Sequence, residues 1–225
     1  MPFTRDSFTF LKQLKAHNER PWFEANKSRY ESEIKAPFQD LIADLAGRFA
    51  KVSKHIVVDP SPVGGSAMRI YRDIRFSKDK TPYKPHLGAS FWHEKGKESS
   101  TPGFYLHIQP GKSIFGGGVW QPDGPPLRRI RDAIAENPNR WKAVKSGLLK
   151  RGRWEMMGDV LKRPPPGYDP DDPLIDDIKR KDFAVFVNLS DREVLSPKLA
   201  QTVAAYAKQM TPFMAFLAKA VAVPY

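Results

Sequence analysis

Hydrophobic periodicity changes sharply at Lys54. Before this residue, apolar side chains recur at helical steps, so the pattern predicts helices within residues 4–52, interrupted or kinked at Pro37. After it, short runs that alternate apolar and polar residues are separated by Gly and Pro, which is typical of strands. The predicted strands cover residues 56–59, 67–74, 86–92, 103–109 and 112–120.

The second half of the chain adds helices around one further strand. Residues 125–150 have the apolar spacing and the proline starts of two helices. Residues 183–189 form a short apolar run, which predicts a buried strand. Residues 196–221 predict C-terminal helices that break and restart at Thr211-Pro212.

No internal repeat or flexible linker divides the sequence. Residues 153–172 are rich in Pro and Gly and predict an irregular segment over the surface. The order of elements predicts a single α+β domain over residues 1–225. In this fold, helices pack on one face of a curved antiparallel sheet whose first strands lie in residues 56–120.

Alternation within three of the predicted strands gives the sheet one apolar and one polar face. In residues 103–109, for example, Phe104, Leu106 and Ile108 are apolar and the residues between them are polar. Such a sheet buries one face and leaves the other open. The predicted polar face carries Arg69, Tyr71, Asp73, His86, Ser90, Trp92, Tyr105, His107 and Gln109.

Residues 69–84 combine six basic residues with two acidic ones, for a net charge of +4. Arginine suits phosphate or carboxylate oxygens because its guanidinium donates two parallel hydrogen bonds. Pro82 and Pro85 stiffen the segment, and a preorganised cationic loop loses less entropy when it binds an anion. In the alternative interpretation, Asp73 and Asp79 pair with basic residues of the same loop as a structural latch.

These patterns predict a site for an anionic, phosphorylated small molecule on the polar face. The cations predicted to hold the anion are Arg69, Arg72, Arg75, Lys80 and Lys84. Tyr83 and Trp120 are the predicted walls, and Asp73 with His107 is the candidate acid–base pair for any reaction. No metal site is assigned, because His86 and His107 alone, without established spacing, are weak support for one.

Three consecutive glycines, Gly116 to Gly118, stand just before Trp120. Consecutive glycines permit a bulge, sharp curvature of the sheet or a close approach of the backbone to a ligand. Sheet curvature is the favoured interpretation.

Composition limits the classes of function. The formal net charge is +12, which favours anionic partners. The chain has no cysteine, which excludes disulfides, thiolate nucleophiles and zinc–thiolate sites. It has no apolar run of about 18 residues and no signal-peptide pattern, so the sequence predicts a cytoplasmic protein without a membrane partner. The sequence assigns no cofactor, reaction or oligomeric state.

Two other interpretations remain open. A nucleic-acid-binding protein without catalysis would use residues 69–84 together with residues 140–163, a zone of eight basic and two acidic residues that contains Trp141 and Trp154. Basic residues interleaved with aromatic rings suit single-stranded nucleic acid, although Trp141 falls on an apolar helix face that predicts burial. In a scaffold protein, the charge would only keep the chain in solution.

Several segments together resemble a family known as domain of unknown function 2461. They are FLKQLKAHNERPWFEANKSRY from Phe10, RIYRDIRFSKDKTPYKPH (69–86), GFYLHI (103–108), GGGVWQP (116–122), LRRIRDAI (127–134) and GDVLKRPPPGYDPDDPLIDDIKRKDFAVF (158–186). The resemblance covers nearly the whole chain. It implies a single α+β domain of about this length, and it implies no activity and no catalytic residue.

Overall fold

The computed structural model describes residues 3–96, 100–150 and 152–225. Its N-terminal helices are α1 (Arg5–Ala16), α2 (Arg20–Ala25), α3 (Lys27–Arg29), a π-helical segment (Tyr30–Lys35) and α4 (Ala36–Phe49). The Thr4 N–H donates to Ser7 Oγ (3.1 Å) at the start of α1, and Pro21 stands in the first turn of α2. At the predicted interruption near Pro37 the helix type changes: the π-helical segment ends at Lys35 and α4 carries Pro37 in its first turn, while Lys35 and Ala36 keep helical backbone angles.

In the described residues, six strands form one antiparallel sheet. They are β1 (Ile56–Val57), β2 (Leu87–His93), β3 (Gly103–Ile108), β4 (Ser113–Val119), β5 (Trp154–Met157) and β6 (Phe183–Leu189). Their order across the sheet is β1-β2-β3-β4-β6-β5, and every neighbouring pair is antiparallel. Consecutive strands from β1 to β4 are neighbours, whereas β6 inserts between β4 and the edge strand β5. The sheet is not closed into a barrel.

The predicted strand over residues 67–74 is wrong. This segment meets its neighbours only through isolated bridges, Ala67 with Ala89 and Tyr71 with Tyr83. Because Pro82 and Pro85 have no N–H to donate, the segment opposite cannot supply a continuous ladder of hydrogen bonds. Residues 69–84 are therefore a loop that folds back on itself beside the edge of β2.

The segment predicted to be irregular, residues 153–172, contains strand β5 at its start. Its residues alternate in exposure: Trp154 is buried, whereas Glu155 is exposed. The predicted strand over residues 183–189 is confirmed as β6, but its second face is buried only in part: Ala184 is buried, Phe186 is half-buried and Asn188 is exposed.

The remaining helices follow the predicted order. They are α5 (Gly124–Glu136), α6 (Pro138–Leu149), α7 (Ile175–Ile178), α8 (Asp191–Val194), α9 (Leu199–Gln209) and α10 (Thr211–Ala220). The restart at Thr211-Pro212 is confirmed. Helix α8 was not predicted, although Ser190 and Glu193 have capping-box spacing: Ser190 Oγ accepts from the Glu193 N–H (3.2 Å), and Glu193 Oε2 accepts from the Ser190 N–H (2.8 Å).

The helices cover one face of the sheet. Phe49 at the end of α4 packs with ring centroids 5.0–6.4 Å from Phe91, Phe104 and Phe115, which come from three adjacent strands. Trp141 of α6 fills the other end of this layer. The α+β class, with helices on one face of an antiparallel sheet, is thus confirmed. Within the residues that the structure describes, no helix is long and apolar enough to span a bilayer.

Candidate functional site

The face of the sheet away from the helices, the open face, carries three rows of side chains set by strand register. The first row is Gly88, His107, Ile114 and Asn188; the second is Ser90, Tyr105, Gly116, Phe186 and Glu155; the third is Gly103, Gly118, Ala184 and Met157, with Trp92 at its β2 end. Along each of these strands, the third row is four positions from the first. At the rise of an extended chain this is about 13 Å.

A cluster of cationic side chains, the basic corner, stands beside the first row. It consists of Arg69, Arg72, Lys84 and His86. Partial burial lowers the pKa of Lys84, and the charges of Arg69 and Arg72 lower it further. Burial likewise lowers the pKa of His86 to about 4, with smaller contributions from His107 and the neighbouring cations. These groups therefore lie close enough to repel one another.

Carboxylates neutralise only part of this corner. Arg72 forms an ion pair with Asp79 and donates to Thr81 Oγ1 (2.6 Å). Within the part of the chain that the structure describes, neither Arg69 nor Lys84 has a carboxylate within 4.0 Å. Among the described residues, Arg69 and Lys84 of the basic corner thus form no ion pair, although the charge of Arg69 helps to lower the pKa of Asp73.

His107 joins the basic corner to the open face. Its ring lies 4.4 Å from that of His86, centroid to centroid. Tyr105 Oη is 3.3 Å from His107 Nδ1, and His107 Nε2 is 3.0 Å from Gln109 Oε1. Since Gln109 and Tyr105 bracket both nitrogens, the imidazole is held in one orientation on the sheet.

An apolar depression, the tryptophan cleft, extends from the third row across the second row to Ile114 of the first row. Its volume is about 510 Å³, and Trp92 and Trp120 line it. Its floor is bare backbone, because Gly103, Gly116 and Gly118 contribute no side chain. Trp120 is 51% exposed, so a large aromatic ring stands beside the cleft. Further lining comes from Met68, Tyr105, Met157 and Phe186.

Two of the predicted anion ligands make contacts within the loop itself. Arg75 Nη2 pairs with Asp73 Oδ2 (2.7 Å), and Lys80 Nζ donates to the Ile74 carbonyl (3.0 Å). The two aspartates of the loop thus pair internally, as the structural-latch interpretation expected. The sequence interpretation missed Phe76 at the tip of the loop, which is 94% exposed and carries the Arg75 guanidinium 5.8 Å from its ring centroid.

The predicted walls differ in position. Trp120 lines the tryptophan cleft, whereas Tyr83 is 2% exposed and stacks on Phe23 with ring centroids 4.1 Å apart. The Asn18 side chain fixes this position by bonding the Tyr83 carbonyl (2.9 Å) and N–H (3.0 Å). Tyr83 therefore attaches the loop to the N-terminal helices, because its ring completes their apolar layer.

The predicted acid–base pair is not brought into contact. Asp73 accepts hydrogen bonds from Arg75, which lowers the pKa of Asp73. His107 contacts Tyr105 and Gln109 instead, and no hydrogen bond joins it to Asp73 in the residues described.

The second basic zone, residues 140–163, presents neither of its tryptophans. Trp141 is fully buried, and its indole N–H donates to Asp177 Oδ2 (2.8 Å). Trp154 is 5% exposed and packs edge-on against Tyr206. Arg151 of this zone lies outside the described residues. A stacking platform for nucleic acid bases is therefore missing from the part of this zone that the structure describes.

A further histidine cluster lies at the opposite end of β2. Ligand atoms of His55, His93 and Glu94 are within 4.8 Å of one another, which is compatible with a metal ion. However, His93 Nδ1 accepts from the Lys95 N–H (3.1 Å), so its other nitrogen is the protonated one and donates to the Pro224 carbonyl (3.0 Å). Because both nitrogens of His93 are engaged, this cluster ties the C-terminal segment to β2.

Acid is expected to destabilise the protein through His86 between pH 6.5 and about 4. Since folding lowers the pKa of His86 to about 4, the unfolded chain takes up a proton first as pH falls, and stability therefore rises with pH across this window. With a discount for partial exposure of the ring, His86→Gln should reduce the difference in unfolding free energy between pH 7 and pH 4.5 by about 1–2 kcal/mol.

Urea denaturation at the two pH values measures this difference. His17→Gln, at an exposed position on α1's C-terminal side, is the control and should leave the difference unchanged. A His86→Gln variant with the full wild-type pH dependence would contradict the environment described for this ring.

The carboxylate of Asp182 fixes the strand ends beside the tryptophan cleft. Asp182 is 4% exposed; its Oδ1 accepts from the Gln121 N–H (2.7 Å) and its Oδ2 from the Asp159 N–H (3.1 Å). Gly158 lies against this side chain, where an added Cβ would overlap it. One buried carboxylate thus positions the residues that follow Trp120 and Met157.

Asp182→Ala is expected to lower the free energy of unfolding by about 2–4 kcal/mol, because two N–H groups lose their acceptor in a buried place. Asp182→Asn keeps one acceptor oxygen and should cost about half as much. Asp159→Ala is the control, since the Asp159 side chain pairs with Lys181 at the surface (3.6 Å). This substitution should shift stability by less than about 0.5 kcal/mol. Urea denaturation compares them, and a fully stable Asp182→Ala would refute the anchoring role.

Comparison with known proteins gives one finding. A family model described as a conserved hypothetical protein (DUF2461) matches residues 6–216. No curated protein and no solved structure matched the chain.

Proposed function

Since the chain belongs to the DUF2461 family, whose description names no activity, we propose a function from the site itself: the protein binds an anionic, phosphorylated small molecule on the open face of its sheet. The anion lies at the basic corner, between Lys84 and Arg69 on one side and the imidazole of His86 on the other, with the His107 ring beside His86. This binding site replaces the wider set of cations expected from the sequence.

The observation that carries the proposal is the position of Lys84 and Arg69, which form no ion pair within the described residues, next to the rings of His86 and His107 (centroids 4.4 Å apart). Lys84 and His86 both have lowered pKa values, and in each case neighbouring cations add to the effect of burial. Placing like charges together costs free energy in the unliganded protein, and a bound anion removes that cost. Phosphate fits best, because its oxygens accept from an ammonium, a guanidinium and an imidazole at once.

His107 is the candidate for any proton transfer to the ligand, and it would first have to release Tyr105 or Gln109, because these residues engage both of its nitrogens. Its ring lies on the open face beside His86, and Tyr105 and Gln109 hold its orientation. In this proposal Asp73 does not contact the anion, and its carboxylate pairs with the Arg75 guanidinium at the loop tip. The proposal itself requires binding only.

Calorimetric titration with pyrophosphate at low and moderate salt tests the proposal. We expect saturable binding of one pyrophosphate per chain that survives moderate salt, because the corner is partly buried and hence weakly screened. At a hundredfold excess over Kd, binding should stabilise the folded state by about 2.7 kcal/mol. Absence of saturable binding at low salt would refute the proposal. Weak binding that disappears at moderate salt would indicate only the general positive charge.

A further inference from the structure

The tryptophan cleft and the basic corner lie on the same face of one sheet, and the tryptophan margin of the cleft is at the end of β2 away from the corner. We propose that together they recognise a nucleotide with more than one phosphate, whose base stacks in the cleft while its phosphates reach the corner. This inference rests on the proposed function, since it takes the anion site as given and adds the chemistry of the rest of the ligand.

The shape of the cleft favours a flat ring. Its floor is glycine backbone, and at Gly118 an added Cβ would overlap the Phe183 carbonyl oxygen, so strand packing keeps this floor bare. Indole rings stand at its margin, where Trp120 is 51% exposed. Every nucleobase offers a π-face that stacks on such a ring, irrespective of sequence.

Polar atoms in the cleft fit the edge of a base better than they fit an alkyl chain. The side chains of Ser90 and Tyr105 lie in the second row and line the side of the cleft nearer the basic corner. Hydroxyl groups both donate and accept hydrogen bonds, so they can serve a heterocycle or a ribose. A purely aliphatic ligand would cover the Ser90 hydroxyl with groups that cannot bond it, whereas the Tyr105 hydroxyl already contacts His107 Nδ1 (3.3 Å).

Length selects a nucleotide with several phosphates. The first and third rows are about 13 Å apart along the strands. An extended nucleoside triphosphate spans a distance of this order, whereas inorganic phosphate or a sugar monophosphate occupies the corner alone. The two subsites thus act as one site only for a ligand with a ring at one end and phosphate at the other.

Comparison of four probes tests the inference. Adenosine triphosphate, inorganic tripolyphosphate, adenosine and decyl phosphate are each titrated calorimetrically into the protein without metal ions. We expect adenosine triphosphate to bind at least about tenfold more tightly than tripolyphosphate, the effect of one stacked base. Trp120→Ala should abolish this difference and leave tripolyphosphate binding within about twofold of wild type. Trp120→Phe, which keeps a ring, should restore most of it.

The outcomes separate the two claims. If tripolyphosphate binds and adenosine triphosphate binds no better, the nucleotide inference fails and the anion site stands. Tighter binding of decyl phosphate than of adenosine triphosphate would also overturn it, by assigning the cleft to an alkyl chain. If adenosine binds and tripolyphosphate does not, the anion site fails. Binding of neither overturns both.

Discussion

Gly118→Ala is expected to lower the free energy of unfolding by at least about 3 kcal/mol. Gly118 has φ +136°, a conformation that residues with a side chain rarely adopt. An added Cβ would also overlap the Phe183 carbonyl oxygen and lie 2.7 Å from the Ala184 Cα. Both obstacles are backbone atoms of β6, so relief requires β4 and β6 to separate.

Urea denaturation with an unchanged slope measures this loss. Gly47→Ala is the matched control: Gly47 lies in helix α4, its added Cβ meets nothing within 4 Å, and the change should stabilise by about 0.5–1 kcal/mol. A Gly118→Ala variant as stable as the wild type would show that β4 and β6 do not approach as closely as described.

Lys84→Ala is expected to weaken pyrophosphate binding by about 10–100-fold. Loss of one charge-assisted hydrogen bond costs about 1.5–3 kcal/mol, and each 1.4 kcal/mol is a factor of ten. The stability of the unliganded protein should stay within about 0.5 kcal/mol of wild type or rise, because a repelling charge is removed from beside His86. The backbone N–H of Lys84 still donates to the Ile70 carbonyl in the variant.

Lys208→Ala, on the exposed side of α9, removes the same charge from the opposite layer and is the control for net charge. It should change affinity by less than about twofold. Equal losses in the two variants would mean that pyrophosphate responds to the total charge of +12 and not to the basic corner.

Much of the fold could be predicted from local patterns of apolar and polar residues. Alternation in β2 and β3 predicted both the strands and their faces, because an antiparallel sheet with one packed face imposes a period of two. The segment 67–74 has the same alternation and is not a strand, since its neighbour contains Pro82 and Pro85. Pairing depends on the partner's backbone, which the pattern of a single segment does not reveal.

The site was less accessible to sequence reasoning. The polar rows of β2 and β3 could be predicted, and so could a cationic loop beside them. Which of the cations form contacts inside the loop could not be predicted. In the described residues, the side chains of Arg75 and Lys80 bond to other groups of the loop, whereas Lys84 forms no ion pair. The tryptophan cleft needs β6 beside β4, a neighbour relation between segments about seventy residues apart in sequence.

The run of glycines is a second case in which the sequence pattern did not reveal which role a residue has. The run Gly116 to Gly118 suggested curvature, and the structure shows that close packing of β4 against β6 excludes a Cβ at the outward positions. That packing also leaves the floor of the cleft bare. A residue chosen by strand packing thus shapes a candidate binding surface, and the spacing of glycines alone does not distinguish the two roles.

Histidine resonances report most directly on the anion site. In a protein labelled at histidine, pyrophosphate is expected to shift the imidazole signals of His86 and His107 along one saturable curve and to raise the pKa of His86 from about 4, while His17 stays unchanged. Saturable binding that leaves His86 and His107 unmoved would place the anion elsewhere on this basic protein and contradict the account.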